Sequence, residues 1–274
     1  MPDFTRSPHR HIARSTTRYW SAALAAETEY RANFVLATLT SLLQLAGALF
    51  TLSLLFQNGS DLGGWSWPEA MMVVAVYTLL DGLQQTLFAP NRQAISTLVR
   101  EGTLDFVLLK PLDSQAHLSL RKLSVWGLPD LCFGAVLIGY AGTRTTPAAG
   151  PLDYALGLLP LLCAGVIVYA LGFILATTSI WLTKTDNITI AMSAVLESAR
   201  FPVAAYPPAF RAALTFVIPA AFMTTVPAQA IVRDVPIGTH ALWIATSAGV
   251  AATLLLISRR FWQRALRSYT SASS

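Results

Sequence analysis

Charge is what this sequence has least of. Charged residues make up 12% of its 274 residues, against roughly 25% in an ordinary soluble domain. A soluble chain of this length has too few such groups to clothe its exterior. The same composition excludes intrinsic disorder, a coiled coil, collagen and a small disulfide scaffold. Cysteine is equally scarce. Cys132 and Cys163 both sit inside apolar runs, offer no metal spacing and no disulfide framework, and read as small hydrophobes at helix packing positions. The four histidines, His9, His11, His117 and His240, are scattered among tail, loop and span end, so they form no metal set or proton relay. No G-x-x-x-x-G-K-[ST] loop occurs, which excludes ATP binding of that kind in this chain. H-E-x-x-H and G-x-S-x-G are missing too.

What is present is apolar. Hydrophobic residues make up 54% and the mean hydropathy is +0.53, as expected of an integral membrane protein with several helical spans. The formal charge of +5 does not indicate a nucleic-acid partner, because the basic residues flank apolar runs, where membrane topology puts them.

The pattern predicts an all-α integral membrane fold in one transmembrane domain, 1–274. Residues 1–31 are an arginine-rich cytoplasmic tail. Within it, residues 15–30 carry Tyr19, Trp20, Leu24 and Tyr30 beside arginines and read as an interfacial helix. Spans are predicted at 32–56, 69–89, 123–140, 154–182, 188–205 and 239–258. Gly63 to Pro68 is a turn with two interfacial tryptophans, and Ala89-Pro90-Asn91 is read as a helix break that opens the long connection 90–122. The segment 207–232 holds Pro207, Pro208, Pro219 and Pro227; its interrupted hydrogen bonding favours a re-entrant helical hairpin covered by protein. The alternative makes 209–232 the fifth crossing and lays 188–205 on the inner surface.

Basic residues orient the chain. Five precede the first span, five (Arg92, Arg100, Lys110, Arg121 and Lys122) lie in the 90–122 connection, and Lys184, Arg259, Arg260, Arg264 and Arg267 complete one side. Arg144, Arg211 and Arg233 occupy the other. Both termini (1–31 and the tail 259–274) and the 90–122 connection are therefore expected in the cytoplasm, in a cell (plasma or inner) membrane.

Two groups of residues stand out. The first is Arg100 to Pro111, where Gly102 permits a sharp turn and Leu104 to Leu109 form a short apolar element closed by Lys110-Pro111. The second is the polar set inside spans. Asp81, Gln84 and Gln85 stand at i, i+3 and i+4 on one helical face, and a carboxylate inside a span normally faces protein or water. Glu197 and Arg200 stand at i and i+3, which suits a local ion pair near the outer surface or a gate. These five are the candidate path residues, with a plain structural hydrogen bond as the alternative for Asp81. In the last span, Ala245 with Gly249 and Ala248 with Ala252 form small-xxx-small pairs, explained by close helix packing.

The stretch Arg100-Glu101-Gly102-Thr103-Leu104-Asp105-Phe106-Val107-Leu108-Leu109-Lys110-Pro111 resembles the "R-E-G-T-L-D-F-x-L-L-K-P" stretch of one subfamily of permease subunits of exporter-type (type-2) ATP-binding cassette transporters. A second resemblance to those permeases lies in Phe201-Pro202, Tyr206-Pro207, Phe210-Arg211, Ile218-Pro219 and Thr224-Thr225-Val226-Pro227-Ala228-Gln229-Ala230. It differs in having Pro207-Pro208 where a single proline with a small residue is common. The resemblance implies a non-catalytic permease, in which 90–122 holds a coupling helix and 207–232 a re-entrant extracellular pair. A separate dimer of cassette ATPases would bind ATP and Mg; this chain needs no cofactor. A second permease subunit, the same or paralogous, would complete the path. Leu104, Phe106, Leu108 and Leu109 would anchor the ATPase, Arg100, Glu101, Asp105 and Lys110 would be rim charges, and Gly102 would set the bend. The competing readings are a stand-alone channel, an intramembrane enzyme and an ATP-driven importer.

Overall fold

The structure, a computed structural model, describes residues 31–57, 62–182 and 186–269. The expected interfacial helix at 15–30 and Lys184 lie outside them. About 80% of the described residues are helical, and they contain no strand. The helices are α1 (Arg31–Gln57), α2 (Trp67–Leu83), α3 (Ala89–Arg100), α4 (Asp105–Leu108), α5 (Ser114–Ser119), α6 (Leu128–Arg144), α7 (Pro151–Thr177), α8 (Asp186–Glu197), α9 (Pro208–Phe216), α10 (Val226–Val232) and α11 (Ile237–Ser268). Among the described residues, four stretches are long and apolar enough to cross a bilayer: Ala32–Gln57, Trp67–Arg100, Pro151–Ile180 and Ile237–Ser268. A fifth is reached if Pro208–Phe216 and Ala221–Val232, bent by 75°, count as one. Helix α6 has 17 residues, a rise of about 25 Å at 1.5 Å per residue.

The helix expected to stop at Pro90 does not. α2 runs through a widened π turn, Gln84–Phe88, directly into α3, giving one rod of 34 residues. Pro90 has no N–H to offer the carbonyl of Thr86, and that carbonyl instead accepts the N–H of Ser124 at 2.9 Å. Asn91 completes the repair. Its amide donates to the carbonyls of Leu87 at 2.6 Å and Lys122 at 2.8 Å, and its Oδ1 accepts the N–H of Lys122 at 2.8 Å. The strapped segment around 122–124 is therefore non-helical, and α6 begins at Leu128 rather than at 123, with Pro129 in its first turn.

Helix α2 starts at Ser66, whose backbone N–H donates to Glu69 Oε2 at 2.6 Å. Along α2 the backbone approaches α6 closely. A Cβ on Gly82 would lie 2.5 Å from the Leu131 nitrogen, and one on Gly134 2.5 Å from that of Leu79. α1 lies against α2 and α6, burying Ala48 and Leu52. Its hydroxyls bond back to carbonyls of the preceding turn, as Thr38 does to Phe34 and Thr51 to Gly47.

α7 is the central post, packed against α10 and α11. The last helix runs ten residues past the expected end at 258, so the expected tail 259–274 is helical through Ser268. Its small-residue pairs face outward: Ala245, Ala248, Gly249 and Ala252 are exposed, and nothing of the chain lies within 4 Å of a Cβ built on Gly249. The face used for packing carries Ser247, Ala251 and Ser258 instead. Cys132 is exposed rather than packed. One end of the bundle gathers Arg92, Arg100, Arg121 and Arg259; Arg233 sits at the opposite end, its guanidinium 5.0 Å from the ring centre of Trp65.

Candidate functional site

Two places concentrate the chemistry. The first is a polar cluster between α1, α2, α6 and the turn after α8. Tyr77 is ten residues into α2, about 15 Å along its axis, so its hydroxyl lies at bilayer depth. It donates to Glu197 Oε2 at 3.0 Å and accepts from Arg200 Nη2 at 3.1 Å. Arg200 also pairs with Glu197 at 2.8 Å and stands over the Tyr77 ring at 4.9 Å. One helical turn further, Gln85 Nε2 donates to Asp81 Oδ2 at 2.7 Å and approaches Asp130 Oδ2 at 3.4 Å. Ser41 of α1 hydrogen-bonds Asp130. Ser41, Tyr77, Asp81, Asp130 and Arg200 line a small void of about 10 Å³, enough for a water-sized occupant.

Three carboxylates and one guanidinium thus meet against a helix long and apolar enough to cross a bilayer. Ionisable groups at that depth are costly and need partners, and each here has at least one. Of the five path candidates, Asp81, Gln85, Glu197 and Arg200 belong to this neighbourhood. Gln84 does not share it: it opens the π turn and is buried with Oε1 unpartnered. The i, i+3 pairing of Glu197 with Arg200 is present and is extended by Tyr77. Tyr77, Asp130 and Ser41 complete the set, and sequence reasoning did not select them. An aspartate at the start of a span was visible in Asp130; Tyr77, one turn before Asp81 on the same face, was visible in the spacing, whereas its bonds to Glu197 and Arg200 were not, because those partners lie more than a hundred residues away.

The second place is the bend from α3 to α5. α3 ends in a Schellman turn: Gly102 N–H donates to the Val99 carbonyl at 3.2 Å and Thr103 N–H to that of Leu98 at 2.9 Å. Gly102 has φ +66°, which L side chains rarely adopt. The reversal swings α4 back beneath the bundle. Leu104 is fully buried and Val107 nearly so, in a cluster with Ile95, Phe173 of α7 and Trp262 of α11. The four expected anchors therefore divide. Leu104 is spent inside this chain and Leu108 is half-buried, whereas Phe106 and Leu109 are 71% and 80% exposed. Arg100, Glu101 and Lys110 are exposed beside them and Asp105 is half-buried.

α5 clamps this bend to the rods. Asp113 caps it, accepting the Ala116 N–H at 2.9 Å, and pairs with Arg259 of α11 at 2.7 Å. Trp262 Nε1 donates to Ser114 Oγ at 3.0 Å. Gln115 Nε2 donates to Ser258 Oγ at 3.1 Å, and Ser119 meets the Tyr169 hydroxyl of α7 at 2.7 Å.

A model of the ABC-2 family transporter proteins matches residues 42–273, which take in the bend and all of the polar cluster but Ser41. The chain belongs to this ABC-2 transporter family. No curated protein matches it, and neither does any solved structure. As an ABC-2 protein it is a transmembrane, multi-pass permease of an ABC transporter, and its family implies a partner ATPase and a membrane around it. ABC-2 permeases are generally the non-catalytic membrane subunit. Among the described residues, no three His, Cys, Asp or Glu side chains gather as a metal set.

Proposed function

We propose that this ABC-2 permease is driven by a separate pair of cassette ATPases docking on the α3–α5 bend, and that it exports its substrate. The supporting observation is the division of the bend into two faces. Leu104 and Val107 fasten it to α7 and α11, while Phe106 and Leu109 are left side by side and bare, ringed by Arg100, Glu101 and Lys110. A short apolar helix with charged edges suits a groove on a partner, where burial supplies affinity and the charges set register. ATP and Mg belong to that partner. Closing of two cassettes would draw two bends together, and the rods Trp67–Arg100 and Ile237–Ser268 would carry the motion into the membrane.

In this reading the chain makes six crossings with both termini cytoplasmic. α8 and the turn after it belong to the fifth, α6 is the third, and α9 with α10 forms a re-entrant pair on the outer side. The 75° bend of that pair supports the hairpin over a straight span. Two permease subunits, alike or paralogous, enclose the path, with Asp81, Gln85, Glu197 and Arg200 along it. Export rests on the type-2 resemblance.

The test is affinity capture of the tagged chain from its own host membranes, followed by assay of Mg-ATP hydrolysis by the captured complex. Wild type should bring down vanadate-sensitive hydrolysis. Phe106→Asp and Leu109→Arg should lose most of it while the permease keeps its yield and melting temperature. Equal hydrolysis in all three would overturn the docking site.

A further inference from the structure

An apolar groove of about 490 Å³ opens on the side of the bundle near its basic end. This is within the roughly 300–1,000 Å³ of small-molecule sites. Leu83 and Phe88 of the long rod form one wall, Leu162 and Val166 of α7 the other, and Ala116 and Leu120 at α5 the floor. From Leu161 to Tyr169 it follows α7 for about 12 Å, in the leaflet on the basic side. Leu162 is 57% exposed and Leu120 48%, so the groove is open laterally toward the bilayer. Its two hydroxyls, on Ser119 and Tyr169, already satisfy each other, leaving an apolar trough.

Charge is arranged around the floor. Arg121 and Lys122 follow Leu120 directly in the chain, and His117 on α5 stands within electrostatic reach of Lys110 and Arg121. Arg92 lines a smaller void that shares Phe88, Ser119 and Tyr169 with the groove. It is only 6% exposed, and its Nη1 has no hydrogen-bond partner. Among the described residues no carboxylate pairs with it; a buried guanidinium left so is costly, and an anion held at the adjoining lip would offset part of that cost. Basic pockets between spans at a membrane surface suit anionic headgroups.

We propose that the groove holds one acyl chain of an anionic phospholipid of that leaflet, with its phosphate at the Arg121–Lys122 lip. This inference goes beyond the transport reading and stands whether or not the ATPase docks at Phe106. The chain length that fits comes from the trough between α2 and α7, and the preference for negative charge comes from the lip and Arg92. The lipid would wedge between the rod carrying the bend and α7, so its presence stiffens the junction of α5 with both.

The test uses the purified full chain, exchanged into mild detergent after reconstitution in phosphatidylglycerol or in phosphatidylcholine with the same acyl chains, and native mass spectrometry of the retained lipid. Wild type should retain phosphatidylglycerol several-fold better than phosphatidylcholine. Ala116→Trp, which fills the floor from an exposed position, should retain neither, at unchanged melting temperature in lipid-free detergent. The double variant Arg121→Gln with Lys122→Gln should keep a lipid but lose the preference for phosphatidylglycerol. Equal retention of the two lipids by wild type would overturn the proposal, as would full retention by Ala116→Trp. So would a wild type that carries no lipid and runs as a dimer split by Ala116→Trp, because the groove would then be a subunit interface.

Discussion

Arg200 serves two partners with one guanidinium, the Tyr77 hydroxyl and the Glu197 carboxylate. Removing it takes a donor from both and leaves Tyr77 and Glu197 only their bond to each other, whereas Glu197→Gln keeps the bond between Arg200 and Tyr77. The Glu197 side chain is half open, which discounts its share. Arg200→Gln is therefore expected to cost about 1–3 kcal/mol, seen as a lower melting temperature in detergent, and Glu197→Gln distinctly less. A larger loss for Glu197→Gln would contradict this hierarchy. His117 gives a second expectation at the same scale. Partial burial and the nearby positive charges of Lys110 and Arg121 hold its pKa below the usual histidine value. The folded state thus refuses a proton that the unfolded chain accepts below about pH 6.5. The contribution to stability is complete above that pH and declines as pH falls through it. Melting temperature followed from pH 7.5 downward should fall more steeply for wild type than for His117→Asn; parallel curves would remove His117 from the account.

At the scale of elements, α2 and α6 show what a glycine is for. Gly134 lies where a Cβ would meet the Leu79 backbone at 2.5 Å, while Gly139, on the same helix, has nothing within 4 Å. Gly134→Ala should push the helices apart and cost about 1–3 kcal/mol. Gly139→Ala should be neutral or gain about 0.4–1 kcal/mol by limiting the unfolded chain. Thermal unfolding of the two variants side by side checks the contrast, and equal melting temperatures would count against the close crossing. This scale also marks how far the sequence could be read. Long apolar runs announced the rods, since hydropathy is a local sum, and Gly102 announced the reversal after α3, since a positive φ demands particular chemistry. Pro90 misled, because the cost of its missing N–H is met by Ser124 and Asn91 through contacts that no local window contains. The polar cluster was half legible for the same reason. Tyr77, Asp81 and Gln85 follow one another at one-turn intervals along a single rod, a spacing the sequence shows, but Asp130, Ser41 and the Glu197–Arg200 pair join them only once separate elements have packed. At the bend, an apolar stretch does not say which of its faces the protein keeps for itself; Leu104 is buried in this chain, and Phe106 and Leu109 are exposed.

For the whole molecule, the question is how a push at the bend reaches the membrane. If the ATPase docks as proposed, force would arrive at Phe106 and Leu109, and α5 would pass it on through its bonds from Trp262 to Ser114, Arg259 to Asp113, and Gln115 to Ser258. These bonds tie the bend to α11, while Ser119 with Tyr169 ties it to α7. On the proposed docking, attachment and transmission would therefore rest on different residues and should fail separately. Trp262→Phe keeps the aromatic packing against Phe173 but deletes the indole N–H donated to Ser114, a bond worth about 1 kcal/mol. Combined with Arg259→Gln, it should leave ATPase capture and basal hydrolysis near wild type, since neither residue is on the proposed docking face. Conformational coupling should drop instead. Fluorescence labels at the outer end of α11, with the complex cycled between nucleotide-free and ATP–vanadate states, should show a smaller shift than in wild type. Phe106→Asp should abolish the shift together with capture. If the clamp variant lost capture as well, the two functions would share one surface and the division of the bend into a docking face and a fastening face would be wrong.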